Sequence, residues 1–179
     1  MTVPEAELKQ TEKGLIPQGE GWFVLNAREA SWIRSDERGQ DTDFQGRQEW
    51  AQLGFRIQVV APGQRGVYHG ERGQEDFLVV SGDALLIVEG EERPLRTWDF
   101  VHCPPGTKHT IVGAGSSPCV LVSVGARVLS ITDDWGAYVP DETASRHRAS
   151  VAEESTDPES AYDEIGEREP ARYDGWLPG

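Results

Sequence analysis

The sequence predicts an all-β protein, an antiparallel sandwich or barrel of short strands. Three observations predict it. Phe55, Ile57 and Val59 alternate with Arg56, Gln58 and Val60, which is the period of a half-buried strand. Turn signals such as Pro62-Gly63, Ser81-Gly82-Asp83 and Glu89-Gly90-Glu91 recur at the roughly 8–12-residue spacing of antiparallel β-proteins. No helical period of useful length interrupts the strands between these turns. The 179 residues suit a single domain, and no internal repeat suggests a second barrel.

Taken in order, residues 1–21 are polar and carry Pro4, Gly14, Pro17, Gly19 and Gly21, so they read as an N-terminal arm. Order is expected from Trp22. The run Trp22-Phe23-Val24-Leu25 reads as a short strand and Ser31-Trp32-Ile33-Arg34 as another, with a loop from Ser35 to Arg47. Trp50 to Ala61 opens the core. Arg65 to Glu71 is the next strand, Gly73 and Gln74 bend the chain, and Glu75 to Val80 follows. A hairpin turn then leads into Ala84 to Glu89. After Pro104-Pro105-Gly106, His109 opens a strand that runs to Val112, and Cys119 to Val124 forms another. The barrel is expected to close between Arg127 and Ile131, giving a barrel domain over residues 22–131.

The remainder, 132–179, is an acidic tail. From Val128 onward it has 13 Asp and Glu against 4 Arg, which is −9 of the net charge of −14. Thr156-Asp157-Pro158-Glu159 carries a capping side chain, a proline in the first turn and acid near the N-terminus. This predicts a helix of about two turns over Pro158 to Ile165, ended by Gly166, with Tyr162 and Ile165 on one face. Tyr173 and Trp176 read as anchors, so the tail is expected to pack on the barrel or on a partner subunit. If Glu75 points inward, Leu78 and Val80 face outward. That much outer aliphatic surface must be covered by N-terminal strands, by the tail or by a second copy, and a homodimer is expected.

The charge balance argues against nucleic acid or an anionic membrane surface as partner, because phosphate binding needs clustered Lys and Arg. No apolar run reaches the roughly 18 residues of a membrane-spanning helix. Two cysteines, Cys103 and Cys119, without a secretory leader pattern predict a cytoplasmic location. Cys103 reads as a small packing residue.

The chemistry concentrates between Gly66 and Ile111. On a strand, His69 and Glu71 point to the same side about 6.6 Å apart. Glu75 opens the following strand and His109 the one behind the Pro-Pro-Gly turn, so four nitrogen or oxygen donors can converge. A buried carboxylate costs several kcal/mol unless it is paired or bound to metal, and simple pairing with Arg or His is the alternative to a metal site.

Gly63, His69, Glu71, Glu75 and Gly82, followed by Pro104, Gly106 and His109, resemble the two motifs of the cupin superfamily. Two positions depart. Glu71 stands where the second histidine of the first motif is usual, and Trp98 where the second motif begins with glycine. A tryptophan at positive φ is costly, so a different turn is expected there, with Asp99 still supplying its side-chain hydrogen bond.

The resemblance implies a single-domain jelly-roll β-barrel holding one divalent transition metal through His69, Glu71, Glu75 and His109. His69, Glu75 and His109 alone would make a facial triad suited to iron, leaving Glu71 as fourth ligand or catalytic base. With Glu71 bound, Mn, Fe, Zn and Ni are all plausible and copper(I) is not. His102 and Lys108 are candidate substrate contacts. The implied function is action on a small organic molecule as an oxygenase or isomerase. The alternative is a non-catalytic small-ligand-binding or storage module.

Overall fold

The computed structural model describes residues 2–46, 48, 50–127 and 135–178. The expected barrel closure over residues 128–131 lies outside them. In chain order the strands are β1 (Glu7–Thr11), β2 (Gly14–Gln18), β3 (Ser31–Ser35), β4 (Gly39–Thr42), β5 (Leu53–Val60), β6 (His69–Glu71) and β7 (Glu75–Ser81). They continue as β8 (Ala84–Val88), β9 (Glu91–Leu95), β10 (Phe100–Cys103), β11 (Lys108–Val112) and β12 (Cys119–Ala126). Then come β13 (Gly136–Tyr138), helices α1 (Glu142–Arg146) and α2 (Pro158–Tyr162), a 3-10 turn at Asp163–Ile165, and β14 (Glu169–Arg172).

Two antiparallel sheets face each other in jelly-roll fashion. One has the order β10-β7-β12-β5-β4-β3-β14, the other β13-β6-β11-β8-β9. Among the described residues they do not join into a continuous hydrogen-bonded barrel. Val60, Phe77, Val79 and Leu121 from the first sheet meet Ala84, Leu86 and Leu95 from the second in the main core, with both cysteines buried among them. At about 1.5–3 kcal/mol for each large apolar side chain removed from water, this layer is the main source of stability.

The turns are those that alternation required. Gly82 at the β7–β8 hairpin has φ +77°, and a Cβ there would sit 2.6 Å from the Pro118 carbonyl oxygen, so only glycine fits. β8 and β9 are joined by a two-residue turn at Glu89-Gly90, both at positive φ.

Four readings of the sequence change. Trp22 to Leu25 is not a strand: Trp22 makes only an isolated bridge to Glu5. The segment 35–47 is not wholly loop, because β4 pairs with β3 and β5 inside it. The arm contains the β1–β2 hairpin, tied on where Ala6 N donates to the Trp22 carbonyl. Helix α1 had no legible signal; at five residues it is too short to show a period, but the Asp141 side chain caps it by accepting from Ala144 N at 2.7 Å.

The C-terminal segment covers the outer faces of both sheets. Tyr173 stacks on Trp32 with ring centroids 4.3 Å apart and is buried with Leu177 against Val59 and Val120. Ala144 and Ala149 cover Tyr68, Ile87 and Val112 on the other sheet. The helix forms as expected: Asp157 caps it by accepting from the backbone N–H of Glu159 and Ser160, and Gly166 ends it. Its Ala161 and the following Ile165 pack on Val67 and Tyr138.

Candidate metal centre

Strand pairing brings the donors together. His109 of β11 is directly opposite His69 of β6, with ring centroids 5.0 Å apart, and Tyr138 of β13 flanks His69 on its other side. Glu75 enters from the first residue of β7, across the interior. One donor atom from each of His69, Glu75 and His109 lies within 4.8 Å of the others, a group able to hold a metal ion. Glu71 stands beside that group, with Oε1 3.5 Å from His69 Nε2.

Each ring is oriented from behind. Nδ1 of His69 lies 2.8 Å from the Val67 carbonyl oxygen and Nδ1 of His109 lies 3.0 Å from that of Thr107. A carbonyl only accepts, so both Nδ1 atoms donate and both Nε2 atoms face the interior. This is the arrangement of metal-binding imidazoles. His109 Nε2 and Glu75 Oε2 are 3.1 Å apart but miss hydrogen-bond geometry, and among the described residues both are buried without a hydrogen-bond partner. Two orphaned buried donors aimed at one point fit an ion between them.

Without an ion the cluster is strongly polarised. Burial opposes charging of His69, but the Glu71 and Glu75 carboxylates outweigh it and raise its pKa to about 10. Burial likewise opposes charging of His109, while contacts with Cys103 and Glu75 raise it to about 9. Burial would raise Glu75, but the two imidazoles hold it down at about 2.

The donors open into a cavity of about 1110 Å³. Phe77, Val60 and Ile111 form its apolar floor; Arg56, Gln58 and Ser123 point into it from the large sheet. Tyr162 and Arg168 close it from the C-terminal segment. The alternation in β5 foretold two faces, but its polar face is the inner one here.

The sequence of residues 56–125 matches the Cupin domain family. This stretch is a cupin domain. The cupin fold is also seen in solved structures. An RmlC-like cupin from Shewanella frigidimarina superposes with a TM-score of 0.52 at 16% identity, covering 62% of this chain and 95% of that one. The polyketide cyclase RemF from Streptomyces resistomycificus gives 0.51 at 13% identity, covering 63% and 89%. A candidate sugar phosphate isomerase from Acidithiobacillus ferrooxidans gives 0.42 at 28% identity over 43% of this chain, which spans only 51% of that protein's length. A comparison with curated proteins finds no match.

Within the cupin motifs, the structure brings His69, Glu75 and His109 to one point, sets Glu71 beside His69 outside that group, and leaves two other candidates away from the cavity. His102 pairs across strands with Asp76, its Nδ1 2.7 Å from Asp76 Oδ1, on the outer face of the large sheet. Lys108 is exposed on the face opposite His109. Neither lines the cavity. Trp98 corrects the expectation at the second motif: it keeps the left-handed backbone of the usual glycine, with φ +76°. The Asp99 side chain does accept from Arg96 N at 2.9 Å. The sequence gives no site role to Tyr138, Arg38 or Arg168, and it places Tyr162 only on the packing face of the helix; Arg56 and Gln58 are signalled as the polar half of the β5 alternation.

Proposed function

We propose that this cupin binds one divalent transition metal through His69, Glu75 and His109 and acts on a small organic molecule, as an oxygenase or an isomerase. The observation that carries the reading is the pair of buried orphan atoms, Glu75 Oε2 and His109 Nε2, pointed at one place. A bound ion would supply Lewis acidity there, and iron would add redox chemistry. The chain's own residues do the rest. Phe77, Val60 and Ile111 keep bulk water from the reacting end. Glu71, 3.5 Å from His69, would take a proton from the substrate or complete the ligand set.

Metal content by plasma mass spectrometry tests it. About one equivalent in the native protein, lost in His69→Ala and in His109→Ala, is expected. No metal after reconstitution with iron, manganese, zinc and nickel in turn would overturn the reading. Glu71→Gln separates the two roles of that residue: weaker metal retention marks a ligand, whereas retained metal with lost turnover marks a base. Oxygen uptake with a turned-over substrate separates oxygenase from isomerase. A second copy of the chain belongs to the same reading, because the C-terminal segment leaves Trp98 72% and Phe100 64% exposed.

A further inference from the structure

Five arginines line the cavity; Arg65 is taken up by Glu37 and Arg127 reaches Gln45, which leaves three guanidinium groups to consider. Arg38 comes from the β3–β4 connection, Arg56 from β5, and Arg168 from the approach to β14. The chain as a whole carries a charge of −14, so this concentration is a local exception. Asp41, only 13% exposed, forms an ion pair with Arg168 and lies 3.9 Å from Arg56. Among the described residues no other carboxylate forms an ion pair with the three, although Glu159, Asp163 and Glu167 also line the cavity. Asp41 is thus shared by Arg56 and Arg168, and Arg38 has no ion-pair partner among the described residues. Burial pushes Arg168 down to about 10, with the nearby Arg38 adding to the effect.

Arg38 is also pre-oriented. Its guanidinium carbon sits 3.6 Å from the Tyr162 ring centroid, so the cation is stacked on the aromatic face. Stacking occupies the plane of the guanidinium and leaves its in-plane N–H fork for a carboxylate or phosphate. Tyr162 in turn meets Tyr138 at 5.4 Å, and Tyr138 meets His69 at 5.8 Å. An unbroken aromatic wall therefore links the cationic end of the cavity to the donor cluster.

We infer that the cavity takes a small organic anion, its carboxylate or phosphate group held by Arg38 and Arg168 and its body lying along Tyr162 and Tyr138 towards His69. This rests on the metal-site reading for the reacting end, but the anion end stands on its own residues. The placement gives the arginines a positioning role: they fix the charged group while the opposite end of the molecule meets the donor cluster.

Calorimetric titration of the full-length protein as purified, with benzoate, phenylphosphate and the uncharged phenol, tests the inference. One of the two anions is expected to bind at least ten-fold more tightly than phenol, and which one does so identifies the charged group. Arg38→Gln, at a position without an acid partner among the described residues, is expected to weaken that anion at least ten-fold with metal content unchanged. Arg38→Lys is expected to recover part of the loss, and Arg93→Gln, on β9 outside the cavity, to change nothing. Three results would overturn it: neither anion binding, phenol binding as well as the anions, or anion binding that is lost in His109→Ala but kept in Arg38→Gln. Metal absent from the native protein with Arg38-dependent anion binding intact would sink the metal reading alone.

Discussion

At the residue scale, the cluster of His69, Glu75 and His109 couples metal, protons and stability. In the metal-free protein both histidines are raised and Glu75 is depressed. A raised histidine stabilises the fold fully below its unfolded value of about 6.5 and loses that contribution as pH climbs through the folded value. A depressed carboxylate contributes above about 4.5 and loses it on acidification. The metal-free protein is therefore expected to be most resistant to heat near pH 5–6 and to weaken steadily towards the histidine values of about 10 and about 9. Metal binding must displace those protons, so metal affinity is expected to rise from pH 6 to pH 9. Melting curves of chelated and metal-loaded protein across that range check both; a flat profile in both would contradict the coupled cluster. A second residue-scale prediction concerns Trp98, exposed and held at φ +76°. Trp98→Gly relieves left-handed strain of about 1–2 kcal/mol against an unfolded-state entropy loss of about 0.5–1 kcal/mol. A small rise in stability is expected in denaturant titration.

At the element scale, the C-terminal segment acts as the outer layer of both sheets. Tyr173→Ala removes the stack on Trp32 and uncovers that face, with an expected loss of about 3 kcal/mol by chemical denaturation. Asp141→Ala removes the α1 cap and is expected to lose about 1 kcal/mol while leaving the donors in place, so metal content should not change. The elements also explain what could be read beforehand. Strand β5 was legible from its alternation, and β7, β8, β11 and β12 as short apolar runs bounded by turn signals. The small strand β4 was not, since Gly39-Gln40-Asp41-Thr42 has no apolar period and owes its conformation to pairing with β3 and β5. In β5 the period was visible but its polarity was not: Arg56 and Gln58 turn inward because there is a cavity to receive them, and only the opposing sheet shows that.

At the scale of the whole molecule, the donor cluster was legible because its members fall in two compact motifs whose spacing survives in the sequence. The cationic end of the cavity was not, because Arg38 and Arg168 lie 130 positions apart and no local pattern links them. The outer surface gives a further prediction. Phe100 and Trp98 remain exposed, and Phe100→Glu is expected to convert a dimer into a monomer in sedimentation velocity without changing metal content. A native protein that sediments as a monomer at all concentrations would remove the second copy from the reading. Finally, the position of Arg168 has a consequence for biosynthesis. Chains are made from the N-terminus at about 5–20 residues per second and fold in that order. All strands of both facing sheets except β14 precede Arg168, so the core can form on the ribosome before the cavity has its wall. A chain cut ahead of α2 lacks Tyr162 and Arg168, so on the proposed reading it is expected to bind the anion more weakly than the full chain while keeping His69, Glu75 and His109.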